Sequence, residues 1–168
     1  ALAPQGQHLG AEKIVVANRA SGSFSVIDSR DDKVIQTIAL PKATNTPEPM
    51  YVVYSKTTRR LFVGDRANDR VVAYDSRDWS VAGIAKAGKG VFHMWEGKGF
   101  GRWNRQLWVN NDIDKTTSVI SSRSLQTITT INTPVDIAKA GGKPHDVWVG
   151  QRGGDAYVSY VGLSGKTD

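Results

Sequence analysis

The chain has 168 residues, 39% of them hydrophobic, enough for a real core and one ordinary domain. It has no cysteine, which excludes a disulfide framework and thiolate metal ligands, and its apolar runs of four to six residues are far too short for a membrane-spanning helix. Twenty-two Lys and Arg against sixteen Asp and Glu give a formal net charge of +6, but the basic residues are scattered, so charge alone marks out no nucleic-acid surface.

Residues 1–11 read as an N-terminal extension, in which Ala1-Leu2-Ala3-Pro4 resembles the small-x-small tail of a secretory signal. From residue 12 to 168 short strands follow one another. Residues 15–18 (VVAN), 25–30 (SVIDSR) and 33–38 (KVIQTI) come first. A second set follows at 49–54 (PMYVVY), 62–65 (FVGD), 72–77 (VAYDSR) and 80–84 (SVAGI). The third set is 92–95 (FHMW), 108–111 (WVNN), 118–123 (SVISSR) and 125–131 (LQTITTI), and a fourth opens with 144–149 (PHDVWV) and 157–160 (YVSY). All are rich in Val, Ile, Thr and aromatic residues and separated by Gly, Asp, Asn and Ser, which is the pattern of strands and turns. No long amphipathic helix is visible.

The sets are copies of one module. Val16, Val63, Val109 and Val158 lie 47, 46 and 49 residues apart, and Ser25, Val72 and Ser118 keep the same step. Four strands in about 46 residues is the size of a β-propeller blade, whose radial sheets bury both faces against their neighbours. The sequence therefore predicts an all-β chain of four-stranded antiparallel propeller blades, about three and a half of them, in one domain.

The strands at 15–18, 108–111 and 157–160 resemble the Tyr-Val-Thr-Asn strand of the YVTN family of β-propeller repeats, as 25–29 resembles its SVIDT strand and 144–149 its PHGVAV strand. This resemblance implies a propeller of the bacterial or archaeal surface, secreted or periplasmic kind. It implies a fold more sharply than an activity.

With strands labelled A to D from axis to rim, the order reads BCD, ABCD, ABCD, AB. Closed propellers have four to eight blades. This count predicts that the ring is completed by companion chains of a longer propeller or by self-association.

Two groups of residues are candidates for function. Met50, His93 and His145 align near the start of the A strands, which line the channel, and Asp146 follows directly. Imidazoles converging there would hold a divalent metal ion, with Asp146 as a third ligand, or act as base and acid; alternatively they satisfy a turn in a wet channel. The second group ends the B strands: Arg19, Asp65, Arg66, Asn111 and Asp112. Their loops share one face of the disc and would bind an anion through the arginines or a cation through the aspartates, unless the Asn and Asp side chains only close turns. The stretch 110–114 lacks the glycine and distal Glu of an EF-hand. The insertion at 96–105, with Phe100, Trp103 and two arginines, suits stacking on bases or sugars or packing on the blade edge.

No nucleophile elbow, His-Glu-x-x-His motif or Walker loop is present. The leading expectation is a binding or scaffold propeller, exported or at the cell surface. The alternatives are a metal-dependent hydrolase using His93, His145 and Asp146 or Asp112, and a protein that binds or cuts nucleic acid through its positive charge.

Overall fold

A computed structural model describes residues 12–97, 105–150 and 155–164. The N-terminal extension and most of the 96–105 insertion lie outside them. Among the described residues thirteen strands form four antiparallel sheets, which we number as blades in chain order. Blade 1 holds β1 (Lys13–Asn18), β2 (Ser23–Asp28) and β3 (Lys33–Ala39). Blade 2 holds β4 (Pro49–Ser55), β5 (Arg60–Asp65), β6 (Arg70–Asp75) and β7 (Val81–Lys86). Blade 3 holds β8 (Val91–Glu96), β9 (Gln106–Asn111), β10 (Thr116–Ser121) and β11 (Thr127–Asn132). Blade 4 pairs β12 (Lys143–Val149) with β13 (Ala156–Val161). Each sheet is a simple meander, so the order is BCD, ABCD, ABCD, AB, as the sequence predicts. A five-residue helix, α1 (Val135–Lys139), follows Pro134 in the connection to β12.

The composition of each strand follows from its neighbours. The inner B and C strands are covered on both faces, so Val71, Val72, Ala73 and Tyr74 run consecutively through the interior. The rim strand β11 is exposed along its whole length and mixes Thr with Ile. Every complete C–D pairing carries an irregularity at one repeat position, between Val26 and Ile27, Ala73 and Tyr74, and Val119 and Ile120. A bulge increases local twist and bends the rim strand, which blunts a free edge.

Turns repeat as faithfully as strands. Left-handed residues close the B–C turns at Gly22, Asp69 and Lys115 and the C–D turns at Asp32, Trp79 and Leu125. Asp28 and Asp75 each accept hydrogen bonds from the backbone and guanidinium of the arginine two residues on, Arg30 and Arg77, which ties the C–D turn into a ring.

The core lies between blades. Phe24, Val26 and Leu40 of blade 1 pack on Leu61, Val63, Val72 and Tyr74 of blade 2. Phe62, Val71 and Ala73, on the other face of blade 2, meet Val91, Met94, Leu107, Val109 and Ile120 of blade 3. Trp108 and Val119 of blade 3 meet Val147 and Val149 of blade 4. Full burial of a Val or Phe side chain contributes about 1.5–3 kcal/mol, so each contact between blades is a substantial part of the fold's stability. Gly64 lets blade 3 approach, because a Cβ there would stand 2.7 Å from Val91 Cγ1.

Candidate functional site

The A strands begin with a bulge that recurs in every blade possessing one. Pro49 faces Asp65 and Val52 faces Val63, so Met50 and Tyr51 together oppose Gly64. In blade 3, Val91 faces Asn111 and Met94 faces Val109, leaving Phe92 and His93 opposite Asn110. In blade 4, Pro144 faces Tyr160 and Val147 faces Val158, leaving His145 and Asp146 opposite Ser159. Bulges re-aim side chains and are common beside functional sites. Here three in succession present six side chains at one end of the A strands.

This register corrects the sequence alignment by one residue. Val91 holds the place of Pro49 and Pro144, so His93 is the counterpart of Tyr51 and Asp146, while His145 is the counterpart of Met50 and Phe92. The two histidines nevertheless meet, because both positions of each pair lie at the bulge. Their ring centroids are 4.7 Å apart. Tyr51 stacks on His93 at 3.9 Å, and Phe92 lies 5.3 Å from both Tyr51 and His145. Arg66 places its guanidinium 5.7 Å from the Phe92 ring centroid. The result is a continuous patch of rings contributed by three blades and rimmed by a cation.

Hydrogen bonds fix this patch from beneath. The buried Asn110 amide donates to the His145 carbonyl at 3.0 Å and accepts from the Thr117 hydroxyl at 2.7 Å, linking the blade 3 interior to the blade 4 bulge. The Asp146 amide N–H donates to Ser159 Oγ at 3.0 Å, and Asp146 Oδ1 accepts from the Val147 N–H at 2.8 Å. That same oxygen lies 3.3 Å from His93 Nδ1. Burial pushes the His93 pKa below its ordinary value; Asp146 opposes the shift and His145 reinforces it. His93 is accordingly neutral at pH 7. Among the described residues no group of three or more His, Cys, Asp or Glu is placed to hold a metal ion. His93, His145 and Asp146 are brought together as a cluster of stacked rings beside a carboxylate, with one Asp146 oxygen already engaged by the Val147 N–H.

The B-strand ends divide into two classes. Asp65 is fully buried and accepts from the Glu48 N–H, Asn68 Nδ2 and Arg70 Nε at 2.8–2.9 Å. Asn111, also fully buried, accepts from the Gly88 N–H and donates to the Thr116 and Ser118 hydroxyls. Asn18 makes the matching bonds to Ser23 and Ser25 in blade 1. These side chains organise the B–C turn, which is the turn reading of the sequence. Arg19, Arg66 and Asp112 stand on the disc face instead. Arg19 donates to Glu48 at 2.8 Å, and Arg66 forms a two-pronged pair with Asp112 at 2.9 and 3.1 Å, each joining one blade to the next.

Sequence reasoning missed Tyr51, Phe92 and Glu48. The two aromatics read as ordinary strand residues, and only the bulge reveals that they reach the channel end. At the far end of β4 a cleft of about 510 Å³ opens between blades 1 and 2, lined by Glu12, Lys13, Tyr54, Lys56 and Trp79. It is remote from the ring patch.

No protein-family model and no curated protein matches the chain. Solved structures do. The hydrazine synthase of Kuenenia stuttgartiensis superposes with a TM-score of 0.65 at 14% identity, over 85% of this chain and 41% of its own. The WD40 repeats of RRP9 give 0.62 at 13% identity, over 80% of this chain and 38% of theirs. The dihydro-heme d1 dehydrogenase NirN, in complex with DHE, gives 0.66 at 15% identity, over 94% of this chain and 32% of its own. At these identities the likeness concerns fold alone. This chain spans less than half the length of each, and it has the blades of a WD40-like β-propeller.

Proposed function

We propose that this chain is a binding or scaffold propeller of the YVTN type that acts outside the cytoplasm, secreted, periplasmic or at the cell surface. The observation that carries the binding role is the patch of Tyr51, Phe92, His93 and His145, built by bulges of three blades at one end of the A strands. Flat rings beside the Arg66 guanidinium suit a planar or anionic group on a small ligand or a partner's side chain. The YVTN assignment and the exported location rest on the resemblance of the strand motifs. The ring is completed by further blades, from companion chains or further copies of this chain.

A ligand-observed NMR screen of small carboxylates, phosphates and aromatic amines tests the binding role. Ligands that bind the wild-type chain should bind at least about tenfold more weakly to Tyr51→Ala and His145→Ala, the loss expected when a stacking contact of about 1.4 kcal/mol or more disappears. Binding untouched by both substitutions, or no binding at all, would remove the patch from consideration. Metal analysis of the same samples addresses the hydrolase alternative: stoichiometric metal, lost together with a hydrolytic activity in His93→Ala, would replace the binding reading with an enzymatic one.

A further inference from the structure

The arginines fall into two groups. Arg19, Arg30, Arg66, Arg70 and Arg77 each hold a carboxylate, on Glu48, Asp28, Asp112, Asp65 and Asp75 in turn. Arg59, Arg60, Arg105 and Arg123 form no ion pair among the described residues, and all stand at the end of blades 2 and 3 opposite the ring patch. Backbone bonds tie them together. Arg59 and Arg105 close the A–B turns of their blades at one repeat position, each in the left-handed region. Their carbonyls accept from the N–H groups of Ser76 and Ser122, in the C–D turns, at 3.0 and 2.8 Å. Arg60 reaches from blade 2 to blade 3, where its guanidinium donates to the carbonyls of Ser122 and Arg123 at 3.1 and 2.7 Å. Arg123 stands on that same turn, with its side chain exposed.

The repeat explains why Arg123 is free. In blades 1 and 2 the arginine of the C–D turn is held by an aspartate two residues earlier, Asp28 or Asp75. Blade 3 has Ser121 in that place, and its hydroxyl accepts from the Ser124 N–H instead. The sequence supplies no substitute carboxylate. From Gly97 to Val135 the acids are Asp112 and Asp114, both at the other end of blade 3, engaged by Arg66 and by the Lys89 N–H. Glu96, just before that stretch, is buried in β8. Guanidiniums gathered without acids repel one another, a cost that an anionic partner removes. We propose that this end of blades 2 and 3 docks a linear sulfated polysaccharide. Packed sheets stand about 10 Å apart, too far for one small anion to meet the arginines of both blades, whereas a polymer with sulfates at intervals spans them. Each guanidinium fork matches a pair of sulfate oxygens, and the exposed Thr57 and Ser124 of the same turns offer hydroxyls to the sugar. The ring patch takes no part in this contact, so the two readings fail independently.

Calorimetric titration of the full chain with short dextran sulfate, uncharged dextran and a thymidine oligonucleotide, at several salt concentrations, provides the test. The wild-type chain should bind dextran sulfate with an affinity that falls steeply as salt rises, and should not bind dextran. Arg123→Ser should weaken binding about three- to tenfold and lower the slope of log affinity against log salt by about one, the loss of one neutralised anion. Ser121→Asp should do the same while keeping the arginine, because it restores the clamp of blades 1 and 2. Arg105→Asn combined with Arg123→Ser should cost at least about tenfold; asparagine tolerates the left-handed backbone at 105. Lys42→Ser removes an exposed charge at the other end of the blades and should change affinity by less than about twofold. Circular dichroism checks that each variant keeps its strands. No binding of dextran sulfate, or losses at Arg123 and Ser121 no larger than that of Lys42→Ser, would overturn the proposal. Tighter binding of the oligonucleotide than of dextran sulfate would also overturn it, in favour of a nucleic acid.

Discussion

Blades 2 and 3 differ from blades 1 and 4 less in sequence than in company. Leu61 and Ile14 occupy one repeat position, as do Phe62 and Tyr157, yet the first of each pair is interior and the second is largely open. Strand pairing differs too: β5 and β9 are bonded on both edges, whereas among the described residues β1 pairs only with β2 and β13 only with β12. A complete blade therefore obtains its hydrogen bonds from itself and its hydrophobic burial from its neighbours. This is the pattern of a repeat architecture, in which stability is approximately a sum of unit terms and contacts between adjacent units.

The sharpest way to break that comparison is to truncate the same position in both regions. Phe62→Ala should cost about 3–5 kcal/mol in urea unfolding, whereas Tyr157→Ala should stay within about 0.5 kcal/mol of wild type. Equal losses would mean that blade 4 is covered after all. A smaller effect of opposite sign is expected at Tyr74, which is buried with its hydroxyl lacking a hydrogen-bond partner among the described residues and its pKa pushed up to about 12 by that burial. Its counterparts in blades 1 and 3 are Ile27 and Ile120. Tyr74→Phe should gain about 1 kcal/mol, since removing an unsatisfied buried polar atom relieves its desolvation cost. A loss of stability would reveal a partner for that hydroxyl.

The weakest effect concerns a feature that both regions share. Hydrogen bonds from the Arg30 side chain, and then from its backbone N–H, hold the Asp28 carboxyl down to about 2, and Arg77 lowers Asp75 in the same way. A carboxylate whose folded pKa lies below its unfolded value contributes stability above about pH 4 and loses it as pH falls toward 2. Carbon-detected NMR titration should place the Asp28 midpoint near 2 and return it toward the ordinary value in Arg30→Ala.

The blades were legible in the sequence because each strand is short, its composition follows from burial, and the step of 46 or 47 residues recurs through Val16, Val63 and Val109. The site was legible only in part. His93 and His145 were expected to converge, and they do, but through a bulge that no residue type announces. Blade 3 begins its A strand with Val91 instead of the proline of blades 2 and 4, so the alignment there lost its landmark and slipped by one. Asp65 and Asn111 share their chemistry with Asp112, and only burial separates the residues that build a turn from the one that faces the disc surface.

The Arg66–Asp112 pair spans 46 residues, one full repeat, so its two members occupy the same position in successive blades. Identical tandem copies cannot make such a bond: they would set arginine against arginine, or aspartate against aspartate. The pair requires that two duplicates drifted toward opposite charges at one site, and it works in one order only. Shuffling blade 2 behind blade 3 would separate the partners, leaving Arg66 beside whatever blade came next. A chain assembled from near-interchangeable parts thus carries, in a single ion pair, a mark of sequence history that also numbers its parts.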